Sequence, residues 1–206
     1  MLIGIVGAPN KGKSTLFSAL TLNDVAIADY PFTTIDPNKG VAFATVKCPC
    51  VSLGLRCGAR DGLCVGGTRR IPVNVVDVAG LVEGAHLGRG MGNKFLNDIA
   101  GADALILVAD ASGRTDSAGN AAFGADPAAD IEMIRGELAE WLAGIVARHM
   151  EQLSRKADGV SALLEVLAGV KVDRASVDGA ISDAGLLPGR VGWGEEETRR
   201  FASALL

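Results

Sequence analysis

The sequence opens with a pattern that few folds accommodate, the apolar run LIGIV at residues 2–6 followed directly by GAPNKGKS at residues 7–14. The apolar run predicts a buried parallel strand. The second segment matches the pattern GxxxxGK(S/T), which leads from a strand into a helix and binds phosphate. Its two glycines let backbone N–H groups turn inward, and the helix adds the positive end of its dipole. The segment predicts an α/β fold built around a phosphate-binding loop (P-loop).

The P-loop assigns candidate roles to individual residues. Lys13 is expected to reach the β- and γ-phosphates of a nucleotide, and the Ser14 hydroxyl is expected to bind Mg²⁺. The predicted nucleotide contacts of this segment are Gly7, Asn10, Lys11, Gly12, Lys13, Ser14 and Thr15.

A second segment, IPVNVVDVAG at residues 71–80, indicates a strand that ends at Asp77, with Gly80 completing a DxxG pattern. Asp77 is expected to hold Mg²⁺ through water, and the Gly80 N–H to contact the γ-phosphate. DxxG alone is a common strand-to-loop turn, whereas DxxG after a P-loop is far more specific.

Between these segments lies YPFTTIDPNKG at residues 30–40, a loop without periodicity that contains Thr33 and Thr34. A threonine in such a loop can close over Mg²⁺ and the γ-phosphate and release them after hydrolysis. The alternative is an ordinary surface loop.

Together these segments resemble the Obg/YchF family of translation-associated P-loop GTPases. The resemblance is carried by GAPNKGKSTLFSALT, YPFTTIDPN and above all DVAGLVEGAHLGRGMGNKFLNDI, and it continues more loosely to residue 145. It implies Mg²⁺-dependent hydrolysis of GTP that acts as a slow molecular switch, with the ribosome as a partner. It also implies that Thr34, rather than Thr33, is the switch threonine and a Mg²⁺ ligand. The glycines expected to make the second switch mobile are Gly84, Gly88, Gly90 and Gly92.

Leu81 stands where many GTPases place the glutamine that orients the attacking water, and its apolar side chain cannot do so. His86 is therefore a candidate catalytic residue; the alternative is a histidine that simply faces solvent. By resemblance to potassium-activated relatives, Asn10 is a candidate K⁺ ligand, and K⁺ would supply charge to the reacting phosphate.

The base-reading NKxD motif that the resemblance leads us to expect after a fifth core strand does not occur in the 206 residues. GTP is favoured by the resemblance, and ATP is the alternative because some YchF-like members prefer it. A non-catalytic RNA- or ribosome-binding module is a third interpretation.

The resemblance also implies a longer protein, so we expect the strand at residues 103–110 to present an unpaired apolar edge that favours self-association or marginal stability.

Four cysteines occur between residues 46 and 70 and nowhere else: Cys48, Cys50, Cys57 and Cys64. They can supply four thiolates to Zn²⁺, although they lack the CxxC spacing of common structural sites, and free thiols are the alternative. The same segment is basic and is either an RNA or ribosome contact or a solvated surface loop. Its basic residues are Lys47, Arg56, Arg60, Arg69 and Arg70.

The C-terminal part has helical periodicity. Asp126 and Pro127 are typical of an N-cap and a first helical residue. Apolar stripes at helical spacing, more typical of packing than of a partner site, predict two long helices, followed by shorter ones near residues 173–184 and 195–205. The stripes are Ile131, Ile134, Leu138, Trp141 and Ile145, then Leu153, Ala157, Val160, Leu164 and Leu167.

We therefore predict an incomplete P-loop NTPase core with a mostly parallel sheet at residues 1–127, including the Cys-rich segment 46–70, and a helical insert at residues 128–206. The 49% hydrophobic composition supports a folded core, and the net charge of −4 gives no general attraction to nucleic acid or anionic membrane. No apolar run is long enough to span a bilayer and no signal peptide is evident, so we expect a cytoplasmic protein. The oligomeric state is not indicated.

Overall fold

The computed structural model describes residues 1–21, 38–59, 62–88, 98–187 and 189–206. Within these ranges, one sheet contains five strands: β1 (Leu2–Val6), β2 (Asn38–Lys47), β3 (Cys64–Val65), β4 (Thr68–Asp77) and β5 (Ala104–Leu107). Their order is β2-β4-β1-β5, and β3 pairs with β4. The α/β P-loop fold is confirmed, and the sheet is mixed rather than mostly parallel.

The sheet has a parallel part and an antiparallel part, whose strands are connected differently. β1 pairs in parallel with both β4 and β5. β2 is antiparallel to β4 over ten pairs, from Asn38↔Asp77 to Lys47↔Thr68. β2 and β4 are joined as a hairpin without a long crossover helix, and parallel pairing requires such a crossover. The outer half of this hairpin projects from the core, since residues 43–47 are all exposed.

The helices are α1 (Lys13–Thr21), α2 (Pro49–Leu53), α3 (Pro127–Arg148), α4 (Met150–Ser154), α5 (Gly159–Val166), α6 (Arg174–Asp183) and α7 (Glu195–Ala204), with 3₁₀ turns at Ala85–Leu87 and Ala168–Val170. Asp126 caps α3 as predicted, because its side chain accepts from the Ala128 N–H at 2.9 Å. The predicted second long helix is wrong. Its residues form α4 and α5, since the Asp158 side chain accepts from the Ser161 N–H and begins a new helix.

Helix α3 joins the two predicted domains. Its first half packs on one face of the sheet, where Ile134 and Leu138 contact a cluster that includes Val6 and Val76. Its second half packs in a separate helical cluster with α4 to α7. The other face of the sheet is covered by α1 through Phe17. α3 therefore contributes to two hydrophobic clusters, and the domain boundary at residue 127 stays a prediction.

β5 lies at one end of the strand order, and its Leu105 and Ile106 are 39% and 38% exposed. The predicted apolar edge is present among the described residues, and its effect on association remains a prediction. Within the same described ranges, none of the helices is long and apolar enough to cross a membrane.

Candidate nucleotide-binding site

The P-loop and the DxxG segment meet at one edge of the sheet. The P-loop follows β1, the DxxG pattern follows β4, and the parallel register places Ile5 opposite Asp77. Ligand sites of open α/β sheets lie outside the carboxyl ends of the parallel strands. The candidate site is therefore where the fold class predicts it.

The backbone of the P-loop depends on residues that tolerate unusual geometry. Asn10 and Gly12 have φ angles of +58° and +85°, in the left-handed region that favours glycine and asparagine. A Cβ on Gly7 would lie 2.4 Å from the Val108 carbonyl oxygen, so the loop passes too close to β5 for any side chain. The Leu16 N–H donates to the Gly12 carbonyl at 2.9 Å and begins α1 at the loop.

Ser14 and Asp77 are in direct contact. The Ser14 Oγ donates to Asp77 Oδ2 at 2.6 Å, and the Asp77 side chain is fully buried. Burial raises the pKa of Asp77, while the Ser14 hydrogen bond and the Lys13 charge oppose this rise. A hydrogen bond from the Asn38 side chain also opposes the rise in the pKa of Asp77. A hydroxyl and a carboxylate are oxygen ligands suited to Mg²⁺, so these residues fit the predicted ion.

Lys13 is a buried cation. Its Nζ donates to the Ala8 carbonyl of the P-loop at 2.9 Å, and the residue is 7% exposed. Burial lowers the pKa of Lys13 to about 8; the positive charge of Lys11 acts in the same direction and Asp77 opposes both. A phosphate group would provide the negative partner that this buried ammonium needs.

The DxxG loop, residues 78–88, packs directly on the P-loop. A Cβ on Gly80 would lie 2.9 Å from atoms of Pro9, so only glycine fits. The Leu81 N–H donates to the Gly7 carbonyl at 3.1 Å, and the Leu81 side chain is buried in the core. The Leu81 side chain therefore contributes to core packing.

Five residues named in the sequence analysis lie outside the described residues: Thr33, Thr34, Gly90, Gly92 and Arg60.

Lys11 has a partner that the sequence did not reveal. Its Nζ lies 2.8 Å from Asp130 Oδ2 of α3, and the two side chains are 0% and 2% exposed. The same ammonium donates to the carbonyl and the hydroxyl of Thr115 at 2.8 and 3.0 Å. Lys11 was predicted to contact the nucleotide. Its side chain instead binds Asp130 and Thr115, so only its backbone is left for that contact.

Residues 108–126, between β5 and α3, form a loop that supports the P-loop. Asn10 Nδ2 donates to the Gly119 carbonyl at 2.8 Å. Asp110 shapes the loop, because it accepts from the backbone and hydroxyl groups of Ser112 and Thr115. Those hydrogen bonds, from Ser112 first, hold the pKa of Asp110 well below its usual range. None of these loop residues was among the predicted site residues.

His86 contacts a carboxylate of α3. Glu137 accepts from the Gly84 N–H at 2.6 Å, from the His86 N–H at 3.0 Å and contacts the His86 Nδ1 at 2.7 Å. Burial opposes ionisation of Glu137, yet hydrogen bonds from His86 and Gly84 hold its pKa below the usual value. The geometry makes His86 an anchor of the DxxG loop, and its catalytic role stays a prediction.

Asp130 and Glu137 are the functional residues that the sequence reasoning missed. They are seven residues apart, two turns of helix, and therefore lie on the same face of α3 as the buried Ile134. Acidic residues within an otherwise buried stripe are a signal for ionic or capping partners. That signal could have identified both positions.

The four cysteines also lie together. Their Sγ atoms are all within 4.8 Å of one another, with Cys48 and Cys57 at 3.7 Å and Cys50 and Cys64 at 4.0 Å. They occupy the outer part of the β2–β4 hairpin. The fold thus brings the four predicted cysteine sulfurs together, and zinc binding by them stays a prediction.

Comparison with known proteins identifies a matching family model and several proteins of similar sequence. A family model described as 50S ribosome-binding GTPase matches residues 2–144. The chain is 47% identical over 208 residues to an uncharacterized GTP-binding protein of Methanocaldococcus jannaschii, covering 99% of this chain and 52% of that protein. It is 42% identical over 158 residues to the ribosome-binding ATPase YchF of Haemophilus ducreyi, covering 75% and 40%.

The solved structure of a GTP-binding protein from Pyrococcus horikoshii is similar, with a TM-score of 0.77 and 32% identity over 100% of this chain and 53% of that one. The chain spans about half the length of the two archaeal proteins. The family model covers most of the chain, including the P-loop, the DxxG loop and the first part of α3. The chain therefore belongs to the family of 50S ribosome-binding GTPases, with the Obg/YchF-type motifs that its sequence predicted.

Proposed function

We propose that this chain binds GTP together with Mg²⁺ and hydrolyses the γ-phosphate as a slow molecular switch. The observation that carries the proposal is the 2.6 Å contact between the Ser14 hydroxyl and the buried Asp77, beside the buried ammonium of Lys13. An oxygen-rich metal position next to a buried cation suits a nucleotide triphosphate and its metal ion.

Each group has a defined task in this proposal. Lys13 binds the β- and γ-phosphates, while Ser14 and Asp77 hold Mg²⁺, which neutralises phosphate charge when bound. The Gly80 N–H binds the γ-phosphate, and Thr34 closes over it. The buried Leu81 cannot orient water. Hydrolysis therefore relies on positioning by the backbone, which accounts for a slow reaction.

The proposal predicts that Lys13→Ala weakens nucleotide binding about 10- to 100-fold, because a hydrogen bond to a charged group contributes about 1.5–3 kcal/mol. Titration of a fluorescent GDP analogue in Mg²⁺ buffer measures this. Lys156→Ala is the matched control, since Lys156 is exposed in the turn between α4 and α5. Equal weakening by the two substitutions would contradict the assignment of the P-loop lysine.

ATP is the second candidate nucleotide, and it is favoured by the ribosome-binding ATPase YchF among the relatives. The same titration with an ADP analogue separates the two. Tighter, Lys13-dependent binding of the guanine nucleotide supports GTP, and the reverse order supports ATP.

We propose that the switch acts in the cytoplasm, in contact with the ribosome or its rRNA. This proposal rests on the description of the matching family. The basic side chains near the cysteines are suited to phosphate backbones, and Lys47, Arg56 and Arg70 are exposed. The alternative is a non-catalytic RNA-binding module. That alternative predicts RNA binding that does not respond to nucleotide and survives Lys13→Ala unchanged.

We also propose that K⁺ binds beside Asn10 and raises turnover. The Asn10 side chain is held in the P-loop by its hydrogen bond to Gly119. We expect turnover to be several-fold faster in K⁺ than in Na⁺, because a cation there stabilises the charge that develops on the phosphate. Asn10→Gly tolerates the left-handed backbone but removes the side-chain oxygen, so it should lose the difference. Equal rates of the unaltered chain in the two salts would exclude K⁺ activation.

A further inference from the structure

We propose that Cys48, Cys50, Cys57 and Cys64 form a structural Zn²⁺ site that holds the outer end of the β2–β4 hairpin together. We call residues 46–70 the hairpin extension, of which 46–59 and 62–70 are described. This site is independent of the nucleotide site and of the proposed switch function.

The sulfur geometry is that of a tetrahedral metal site. Zn²⁺ bound to thiolates at about 2.3 Å requires neighbouring sulfur atoms about 3.8 Å apart. The Sγ–Sγ distances of 3.7 and 4.0 Å match this, and all four Sγ atoms lie within 4.8 Å of one another. A disulfide would bring two of these atoms to about 2.05 Å. All four cysteines are therefore free to act as metal ligands.

The secondary structure fixes three of the four ligands. Cys48 directly follows β2, where its N–H donates to the Gly67 carbonyl at 2.8 Å. Cys50 lies in the first turn of α2, and Cys64 is held in β3 opposite Arg69. A tight turn joins β3 to β4, in which Gly66 and Gly67 have φ angles of +56° and +80°. The chain therefore presents three sulfurs from different elements to one point.

Cys57 is the ligand that most requires an explanation. It lies in the irregular segment after α2, yet its Sγ is 3.7 Å from that of Cys48. No helix or strand holds it there. A shared metal ion accounts for the folding of this segment back onto the hairpin, because metal coordination supplies folding free energy directly.

The hairpin extension has too little apolar packing to hold itself together. None of the five residues of α2 is buried, and a helix this short is not stable alone. Four large apolar side chains of the extension are more than half exposed: Val51, Leu53, Leu55 and Val65. Small units without a hydrophobic core depend on disulfides or metals, and free thiols in a reducing compartment favour a metal.

Local charge also fits the occupied site. Zn²⁺ with four thiolates carries net negative charge, and Lys47, Arg56, Arg69 and Arg70 lie in the same extension. Iron–sulfur clusters interpose several atoms between cysteine sulfurs and need wider separations than those observed here. Zn²⁺ is therefore the ion that the geometry favours over a cluster.

The test is the metal content of the purified chain in reducing buffer, measured by plasma mass spectrometry. We expect about one zinc ion per chain, falling at least about tenfold in Cys57→Ser, because removal of one of four thiolates opens the site. Val65→Ser, a serine substitution at an exposed neighbour of Cys64 that removes no sulfur, should keep its zinc. Absence of metal, iron in place of zinc, or equal zinc in the two variants would overturn the proposal.

A second measurement does not require the cysteine variant to fold. We expect a strong zinc chelator to increase amide hydrogen exchange in residues 46–70 of the unaltered chain, while exchange in the P-loop and α1 stays the same. Unchanged exchange in the extension after the zinc has been removed would show that the ion is not structural and would overturn the proposal.

Discussion

Replacing Lys11 by methionine is expected to lower the free energy of unfolding by about 3–5 kcal/mol, because it leaves the buried carboxylate of Asp130 without its ionic partner. The two side chains are almost completely inaccessible to solvent, so water cannot replace the lost charge. The Thr115 carbonyl also loses its donor. Urea denaturation at neutral pH measures the effect.

The chain contains a matched control for this substitution. Lys171 and Asp103 form an ion pair with the same 2.8 Å separation, but their side chains are 47% and 37% exposed. Lys171→Met should therefore cost less than about 1 kcal/mol, as exposed ion pairs do. A similar loss in both variants would show that the Lys11–Asp130 pair is screened by solvent. The double variant Lys11→Met/Asp130→Leu should recover much of the stability, since it removes both buried charges.

The position of this ion pair links stability to the nucleotide site. Lys11 is part of the P-loop, and Asp130 lies in the first turn of α3. The pair fixes the P-loop against α3, while the hydrogen bonds of Asn10 to Gly119 and of Lys11 to Thr115 fix it against the loop at residues 108–126. Nucleotide affinity should fall along with stability in Lys11→Met, although the Lys11 side chain is directed to Asp130.

The meeting of the P-loop and Asp77 could be predicted from sequence because it follows from topology. Each segment comes directly after an apolar strand, and the carboxyl ends of parallel strands share one edge of a sheet. The Ser14 to Asp77 contact required no further information. The antiparallel pairing of β2 with β4 was not predicted, because it joins residues far apart in sequence, from Asn38↔Asp77 to Lys47↔Thr68.

The partners of the acidic residues on α3 could not be located from periodicity alone. A stripe analysis counts apolar residues and therefore favoured Ile131, which is 38% exposed, over Asp130, which is buried. A buried acid is stable only when a partner lies opposite, and that partner, Lys11, is more than a hundred residues away. Such long-range pairs depend on tertiary packing, as does the convergence of the four cysteines.

Glu137→Gln is expected to cost about 2–3 kcal/mol of stability and to release the DxxG loop from α3. The Gly84 and His86 amides and the His86 ring share this one buried acceptor, and hydrogen bonds to a charged group contribute about 1.5–3 kcal/mol each. A glutamine keeps one oxygen but turns an N–H₂ group toward donors. Amide hydrogen exchange should rise at Gly84 and His86 and stay constant in the P-loop.

Glu140→Gln is the matched control, since Glu140 lies one turn further along α3 and pairs with the partly exposed Arg199. It should change stability by less than about 1 kcal/mol and leave exchange in the DxxG loop unaltered. Equal exchange in the two variants would show that the loop holds its conformation without Glu137.

The same pair of residues separates two roles for His86. If His86 anchors the loop, His86→Ala and Glu137→Gln should change amide exchange at residues 84–88 and nucleotide turnover in the same direction. The double variant should then be less impaired than the sum of the two single variants, because each substitution removes the same contact between His86 and Glu137. If His86 instead transfers a proton, His86→Ala should lower turnover strongly without loosening the loop, since a general acid or base contributes about 10²–10⁴-fold to rate. The 2.7 Å contact between Nδ1 and a buried carboxylate that also accepts two backbone amides favours the anchor.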